Sequence, residues 1–231
     1  MKKFLMNQRT RAYEKNRENI LNLLEVNKKA KLLDLGCDDG EWTTELAKKI
    51  QTKDIYGYEI IKERAKKAEK KGIKVTLGNL NEPLNCSNGM FDVVHANQVI
   101  EHLNNTDMFL EEICRILKPG GYAVISTENL SSWHNIFALL LGYMPFSLTN
   151  VSSKTGAVGN PLAPHTGEDF WEEDSWQHQR IFTIRGLKDL SVLHGFEFES
   201  VLASGYYPFG SLFSKIDPRH SAFISVKILK Q

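Results

Sequence analysis

Residues 32–40 read Leu-Leu-Asp-Leu-Gly-Cys-Asp-Asp-Gly, and this run limits the folds open to the chain more than any other. Lys31–Leu35 is a short apolar run suited to a buried strand. It breaks at Gly36, and past Gly40 the residues Trp42, Leu46, Ala47 and Ile50 recur at helical spacing. Strand, glycine turn and helix in that order place a ligand over the carboxyl end of a parallel sheet. Glycine allows positive φ and close approach of a ligand to the backbone.

The residues between the glycines select the ligand. A dinucleotide fingerprint starting at Gly36 needs glycines where Asp38 and Glu41 stand, and a phosphate-binding Gly-Lys-Ser/Thr ending is absent. Asp38 and Asp39 put carboxylates where a pyrophosphate would lie, and like charges at close range repel. A ligand that carries an ammonium and a sulfonium suits them instead. That ligand is S-adenosylmethionine (SAM).

On these residues the segment resembles motif I of the class I SAM-dependent methyltransferases, Asp/Glu-x-Gly-x-Gly-x-Gly. Asp34, Gly36 and Gly40 match, Cys37 fills a position that needs a small residue, and Asp38 replaces the middle glycine. Asp tolerates a left-handed backbone better than most residues, so the loop reads as a variant of the motif. The next segments follow in family order. Asp54–Glu59 reads as a second strand ending in an acid able to accept hydrogen bonds from ribose hydroxyls. By resemblance Glu59 is that ribose acid and Ile60 packs on the adenine. A Lys-rich helix over 61–71 leads to a third strand over 73–77 and to Asn79 and Leu80. Asn79 offers the adenine amino group the carbonyl oxygen that an Asp supplies in many members.

Phe91–Asn97 is the fourth strand. It continues into Gln98-Val99-Ile100-Glu101-His102-Leu103, which resembles the corresponding segment of the type 11 subfamily. That likeness implies that Ala96, Asn97 and Gln98 border the cofactor. An amphipathic helix is expected over 107–117, stopped by Lys118-Pro119-Gly120-Gly121, before a fifth strand over 122–127. The resemblance implies an α/β, Rossmann-like fold with a seven-stranded, mostly parallel sheet in the order 3-2-1-4-5-7-6 and an insertion after strand five. The parts are then an N-terminal helical cover (1–29), a SAM-binding core (30–129), an acceptor-binding cap (130–180) and the C-terminal part of the sheet (181–231). Strands six and seven are expected over 196–202 and 222–229.

Bulk properties fit this plan. At 231 residues with 42% hydrophobic and 25% charged residues, the chain suits one medium globular domain. A net charge of +1 gives no overall attraction to nucleic acid or an anionic membrane. The Ala-Asn-Gln-Val run after strand four also lacks the Asn/Asp-Pro-Pro-Tyr/Phe pattern of nucleic-acid amine methyltransferases. Cys37, Cys86 and Cys114 are scattered without metal-ligand spacing, so no metal is expected, and they suit a reducing cytoplasm. The apolar stretch in residues 1–6 is too short for a signal peptide, and no run approaches the roughly 20 apolar residues of a membrane span. Segment 8–26 reads as a basic amphipathic helix whose Arg9, Arg11, Lys15 and Arg17 form a solvated face.

Residues 130–180 are too many for a simple connection. Segment 133–146, with Ile136 to Leu141 apolar throughout, suits one helix with a break and serves as a lid, a dimer contact or a membrane-surface element, the lid being favoured. Segment 149–167 reads as a loop, and an acidic stretch with Phe170, Trp171 and Trp176 follows. His178 and Arg180, two residues apart before a helix over 184–194, project to one side if extended. They offer a general base beside a cation for an anionic acceptor, with His102, His134 and His165 as other histidines to weigh. The chain is expected to use SAM to methylate a small-molecule, lipid-linked or glycan acceptor, at oxygen in the first instance. A carbon of a quinone-like ring and a non-catalytic SAM-binding module are the alternatives.

Overall fold

The structure is a computed structural model that describes residues 2–163, 177–207 and 213–231, with side chains from residue 7 onward. Seven strands form one sheet in the order β3-β2-β1-β4-β5-β7-β6. They are β1 (Lys31–Leu35), β2 (Asp54–Glu59), β3 (Lys74–Leu77), β4 (Phe91–Asn97), β5 (Leu117–Glu128), β6 (Phe196–Ser204) and β7 (Phe223–Lys230). β1 to β5 pair in parallel, and β7 runs antiparallel to both β5 and β6. This is the expected order and orientation.

The alternation of side chains along each strand divides the core into two layers. Leu32, Val93, Tyr122 and Val124 face α1 (Lys2–Leu23) and α2 (Glu41–Ile50), where Ile20, Leu46 and Ile50 meet them. Leu33, Leu35, Val94, Ile125 and Val226 point the other way, toward Phe109, Leu110 and Ile113 of α4 (Thr106–Ile116) and Leu187 of α6 (Ile184–Leu193). Each fully buried Leu or Ile contributes roughly 1.5–3 kcal/mol relative to exposure. α3 (Lys62–Lys70) covers β2 and β3 through Ala65 and Ala68, the small residues of its Lys-rich sequence.

Polar groups set the register of α1. Asn16, fully buried, donates to Ser126 Oγ at 2.8 Å and accepts from Ser225 Oγ at 2.9 Å. Such bonds hold one arrangement, because a slip of the helix would leave the buried Asn16 amide without these partners, while Ser225 and Ser126 would keep only each other at 3.1 Å.

Several boundaries shift by one or two residues, and two differences from the sequence reading change the local structure. β5 begins at Leu117, which pairs with Phe91, and the ladder resumes with Tyr122 opposite Val93. The Lys118–Gly121 turn bulges out between these pairs, held by Lys118 Nζ on both Asp92 carboxylate oxygens at 2.7 Å. The broken helix expected over 133–146 is α5 (Trp133–Leu140), which stops where Gly142 takes φ 77°. A 3-10 turn, Phe146–Leu148, follows. Among the described residues no helix is long and apolar enough to cross a membrane.

Candidate active site

The carboxyl ends of the parallel strands converge on the loop after β1, as this topology requires. The loop turns back through three left-handed residues, Gly36 (φ 76°), Asp38 (φ 49°) and Gly40 (φ 79°). Asp38 thus takes the backbone form that the variant motif demanded. Gly40 serves packing: a Cβ there would stand 2.5 Å from Ile73 Cδ1 and 2.9 Å from Ala68 Cα, so only glycine lets α2 start against α3.

Glu59 ends β2 almost fully buried, and its carboxylate organises the loop. Oε2 accepts from Asp38 N at 2.9 Å, while Oε1 accepts from Ile60 N at 3.0 Å and Ile61 N at 2.9 Å. Three backbone donors leave free lone pairs on a carboxylate, which has about four acceptor positions. Asp34 is also buried and bound on both oxygens, by Thr43 Oγ1 at 2.5 Å and His95 Nδ1 at 2.7 Å. Because His95 Nδ1–H donates to Asp34, its Nε2 is left to accept from Trp42 Nε1 at 3.5 Å. Trp42 thus donates to His95, and His95 and Thr43 both donate to Asp34, so the network ends on the Asp34 carboxylate.

Two clefts open on either side of this loop. The first, about 270 Å³, is lined by Gly36, Asp38, Glu59, Ile60, Asn79, Leu80, Asn97, Gln98 and His102 among others. The second, about 250 Å³, is lined by Tyr13 and Arg17 of α1 together with Asp34, Cys37, Asp38, Trp42, His95 and Asn97. Gly36, Asp38 and Asn97 border both, so the two clefts are parts of one trough. Ten of the twelve residues expected to hold a cofactor line it. Gly40 and Ala96 do not; Ala96 points into the core under the sheet. Asp38 Oδ1 pairs with Arg64 at 3.1 Å, and Asn79 Oδ1 accepts from Asn81 N at 2.9 Å. Gln98 adopts φ 55°, and its Nε2 is buried without a hydrogen-bond partner. Burial drives the Cys37 thiol far above its ordinary pKa, which removes it as a nucleophile.

Arg17 departs from the sequence reading. Its guanidinium lies 4.2 Å above the Trp42 ring, on the lip of the second cleft, and is not simply solvated. The sequence signal for this was the spacing of Tyr13 and Arg17 by one helical turn. His95, Trp42 and Thr43 went unmarked because each reads as ordinary core until the strand and helix are brought together.

The segment after β5 closes on itself at Asn129 and Phe182, which form a parallel bridge. Within it, Asn135 is buried and bonds Ser147 and the carbonyl of Asn129. His178 is buried, donates Nδ1–H to the Ser147 carbonyl at 2.6 Å, and packs edge-on against His102, ring centres 4.7 Å apart. Glu101 lies beside both. Burial, opposed by His178, pushes the Glu101 carboxyl up to about 7; burial and then His178 pull His102 down to about 4. Arg180 has different surroundings, exposed and donating Nη1–H to Thr106 Oγ1 at 2.7 Å. His134 lies between Phe146 and Tyr207. His165, the acidic stretch after it and its aromatic residues lie outside the described residues.

A family model described as a methyltransferase domain matches residues 7–201. The chain belongs to that family. Its relatives include the mitochondrial ubiquinone biosynthesis O-methyltransferase of Rattus norvegicus, 28% identical over 188 residues, which cover 78% of this chain and 48% of the rat enzyme. The demethylmenaquinone methyltransferase of Bacillus licheniformis is 27% identical over 206 residues, covering 85% of this chain and 81% of that one. The chain thus spans about half the length of the rat relative and more of the bacterial one. Two SAM-dependent methyltransferase structures share the fold. That of Thermotoga maritima has TM-score 0.63 at 19% identity, covering 95% of this chain and 89% of that chain. That of Mesorhizobium loti has TM-score 0.62 at 16% identity, covering 91% and 95%. For this methyltransferase-domain protein the cofactor is S-adenosyl-L-methionine, and the trough at the β1 loop is lined by the acids Asp34, Asp38 and Glu59.

Proposed function

We propose that the chain transfers the methyl group of SAM to an oxygen of a small-molecule or lipid-linked acceptor in the cytoplasm. The observation that carries this reading is the junction of a trough lined by Asp34, Asp38 and Glu59 with a buried group of Glu101, His102 and His178. His102 belongs to both.

In this reading the first cleft takes the nucleoside half of SAM, with Glu59 receiving the ribose hydroxyls, Ile60 and Leu80 against the adenine and Asn79 meeting its amino group. Gly36, Cys37 and Asp38 follow the chain of the cofactor into the second cleft, where Asp34 and Asp38 balance its positive charges. Asn97 and Gln98 form the wall between cofactor and acceptor, and Gly40 and Ala96 support loop and strand from behind. When bound, SAM supplies a methyl group activated by the sulfonium, so the protein has mainly to align an acceptor and remove its proton. His178 is the proposed base: its Nδ1–H is committed to Ser147, which leaves the lone pair of the neutral ring on Nε2, and the ring sits beside Glu101 and His102. Arg180, at the exposed edge of the same strand of chain, is the proposed cation for an anionic acceptor. Residues 130–180 are the proposed acceptor cap, and α5 gives its apolar surface, with Leu140 and Leu141 about three-quarters exposed. The free cysteines support the cytoplasmic placement.

The quinone relatives make phenolic hydroxyls and the ring carbon of a quinol the first acceptors to try. The test is transfer of labelled methyl from SAM to a panel of catechol, quinol and lipid-linked sugar acceptors. Labelled O-methyl product supports the reading; labelled ring-methyl product replaces oxygen by carbon. Binding of SAM without transfer to the panel or to extract from a deletion strain contradicts it.

A further inference from the structure

Glu101 and His102 are neighbours in a 3-10 turn (Ile100–His102) after β4, whereas His178 lies on the far side of the segment that follows β5. The fold nevertheless brings one side-chain donor atom of each within 4.8 Å of the others. The hydrogen bonds of the cluster determine which atoms remain available. His178 donates Nδ1–H to the Ser147 carbonyl at 2.6 Å, and His102 donates Nδ1–H to the Gln177 carbonyl at 3.1 Å. A carbonyl can only accept, so each Nδ1 carries a proton and each neutral ring keeps its lone pair on Nε2. Glu101 is fully buried; Oε2 accepts from Thr127 Oγ1 at 2.9 Å, and Oε1 has no hydrogen-bond partner.

The cluster therefore holds two imidazole lone pairs and a buried carboxylate oxygen. Among the described residues no lysine or arginine forms an ion pair with Glu101. A buried oxygen left without a partner is costly, by about 1–3 kcal/mol or more for a charged group. Backbone carbonyls that fix the tautomer of both histidines are the outer partners that metal-binding histidines ordinarily have. Two neutral imidazoles and one carboxylate form a donor set for first-row transition ions, not for magnesium or calcium, which prefer oxygen throughout.

We propose that Glu101, His102 and His178 bind one divalent transition-metal ion of the zinc or cobalt type. Zinc bonds of about 2.0–2.2 Å place tetrahedral ligands roughly 3.4 Å apart, so donors that lie within 4.8 Å of one another need to close by no more than about 1.4 Å. Three protein ligands leave a position open, and His102 lies on the wall of the first cleft. The ion would join the segment after β5 to the core. If the methyl-transfer reading holds, on which this clause alone rests, the open position takes an acceptor oxygen and lowers its pKa. His178 then serves as a ligand and not as the base. The absence of metal-ligand spacing among the cysteines is no obstacle, since none of the three ligands is a cysteine.

The test is direct binding without SAM or acceptor, on the full chain, free of any affinity tag and stripped with a chelator. Zn²⁺ is titrated by calorimetry and Co²⁺ by its visible absorption. One ion per chain is expected, with affinity at least about a hundredfold weaker in Glu101→Gln and in His178→Gln, beyond the effect of losing an outer-shell partner. SAM affinity, measured separately, verifies that both variants are folded. X-ray absorption on the Zn²⁺-loaded wild type adds a check that needs no variant, and two imidazole ligands are expected. The proposal is overturned if the wild type takes up no stoichiometric ion, if both variants bind as tightly as the wild type, or if the bound zinc has no imidazole neighbours. Because no methyl transfer is involved, failure of the acceptor assay leaves this result standing, and failure here leaves the acceptor assay standing.

Discussion

The core up to residue 129 and the segment that follows it are built by different rules. In the core, β1, β2 and β4 send alternate side chains to two helical layers and deliver a trough-lining residue at their carboxyl ends: Gly36 after β1, Glu59 at the end of β2, Asn97 at the end of β4. After β5 the described chain is held by buried amides and hydroxyls, such as Asn129, Asn135, Ser147 and Asn160, while the end of α5 and the residue after it turn Leu139, Leu140 and Leu141 to solvent. Apolar alternation builds the core, and buried polar side chains build the segment after it.

That contrast can be broken by mutation, and the largest effect should come from the second region. His178→Ala should lower turnover by about 10²–10⁴-fold if His178 is the base, with SAM affinity preserved. Single-turnover kinetics beside a SAM titration check this, and near-normal turnover removes His178 from the chemistry. Next comes a buried group of the core. Asp34→Ala leaves the His95 ring N–H without its acceptor, at about 1–3 kcal/mol, and the Thr43 hydroxyl with only the longer bond to the Cys37 carbonyl at 3.5 Å. Thermal unfolding should show the loss, and SAM binding should weaken with it. An unchanged melting temperature would mean that the Trp42–His95–Asp34–Thr43 chain does not hold the loop.

Smaller effects sharpen the comparison. Arg17→Ala removes a cation held over Trp42 at the lip of the second cleft, a contact of about 0.5–1 kcal/mol. SAM affinity should fall about fivefold, equivalent to about 1 kcal/mol, by calorimetry. The smallest change is expected for Leu140→Ser with Leu141→Ser. Both side chains are exposed, so stability should stay within about 0.5 kcal/mol and SAM affinity should not move, while acceptor KM rises. Loss of SAM binding in this folded double variant would place α5 against the cofactor and dissolve the distinction between the regions.

The same contrast explains what could be read from the sequence. β1, β2 and β4 were legible to the residue, because short apolar runs ended by Gly36, Glu59 and Asn97 leave little choice of boundary. The strand order followed from the resemblance these motifs carry. The Lys118–Gly121 turn was legible as a helix stop but not as a bulge, since only its pairing across Asp92 makes it part of β5. His95 was invisible as a partner of Asp34, which lies 61 residues away along the chain. The neighbours of His178 were hidden in the same way: two residues of spacing suggested a pair with Arg180, whereas the fold sets His178 against Glu101 and His102. Arg17 looked like one more surface cation until α2 placed Trp42 beneath it.

The central claim is that the loop after β1, braced by Glu59, forms the cofactor site. Calorimetric titration of SAM into the wild type and into Glu59→Ala tests it most directly. Glu59 now ties Asp38, Ile60 and Ile61 together and is proposed to receive the ribose, and hydrogen bonds to a charged group contribute about 1.5–3 kcal/mol. The account predicts one SAM per wild-type chain and roughly ten- to a hundredfold weaker binding in the folded variant. Unchanged SAM affinity in folded Glu59→Ala, or a wild type that binds NADH in preference to SAM, would contradict it.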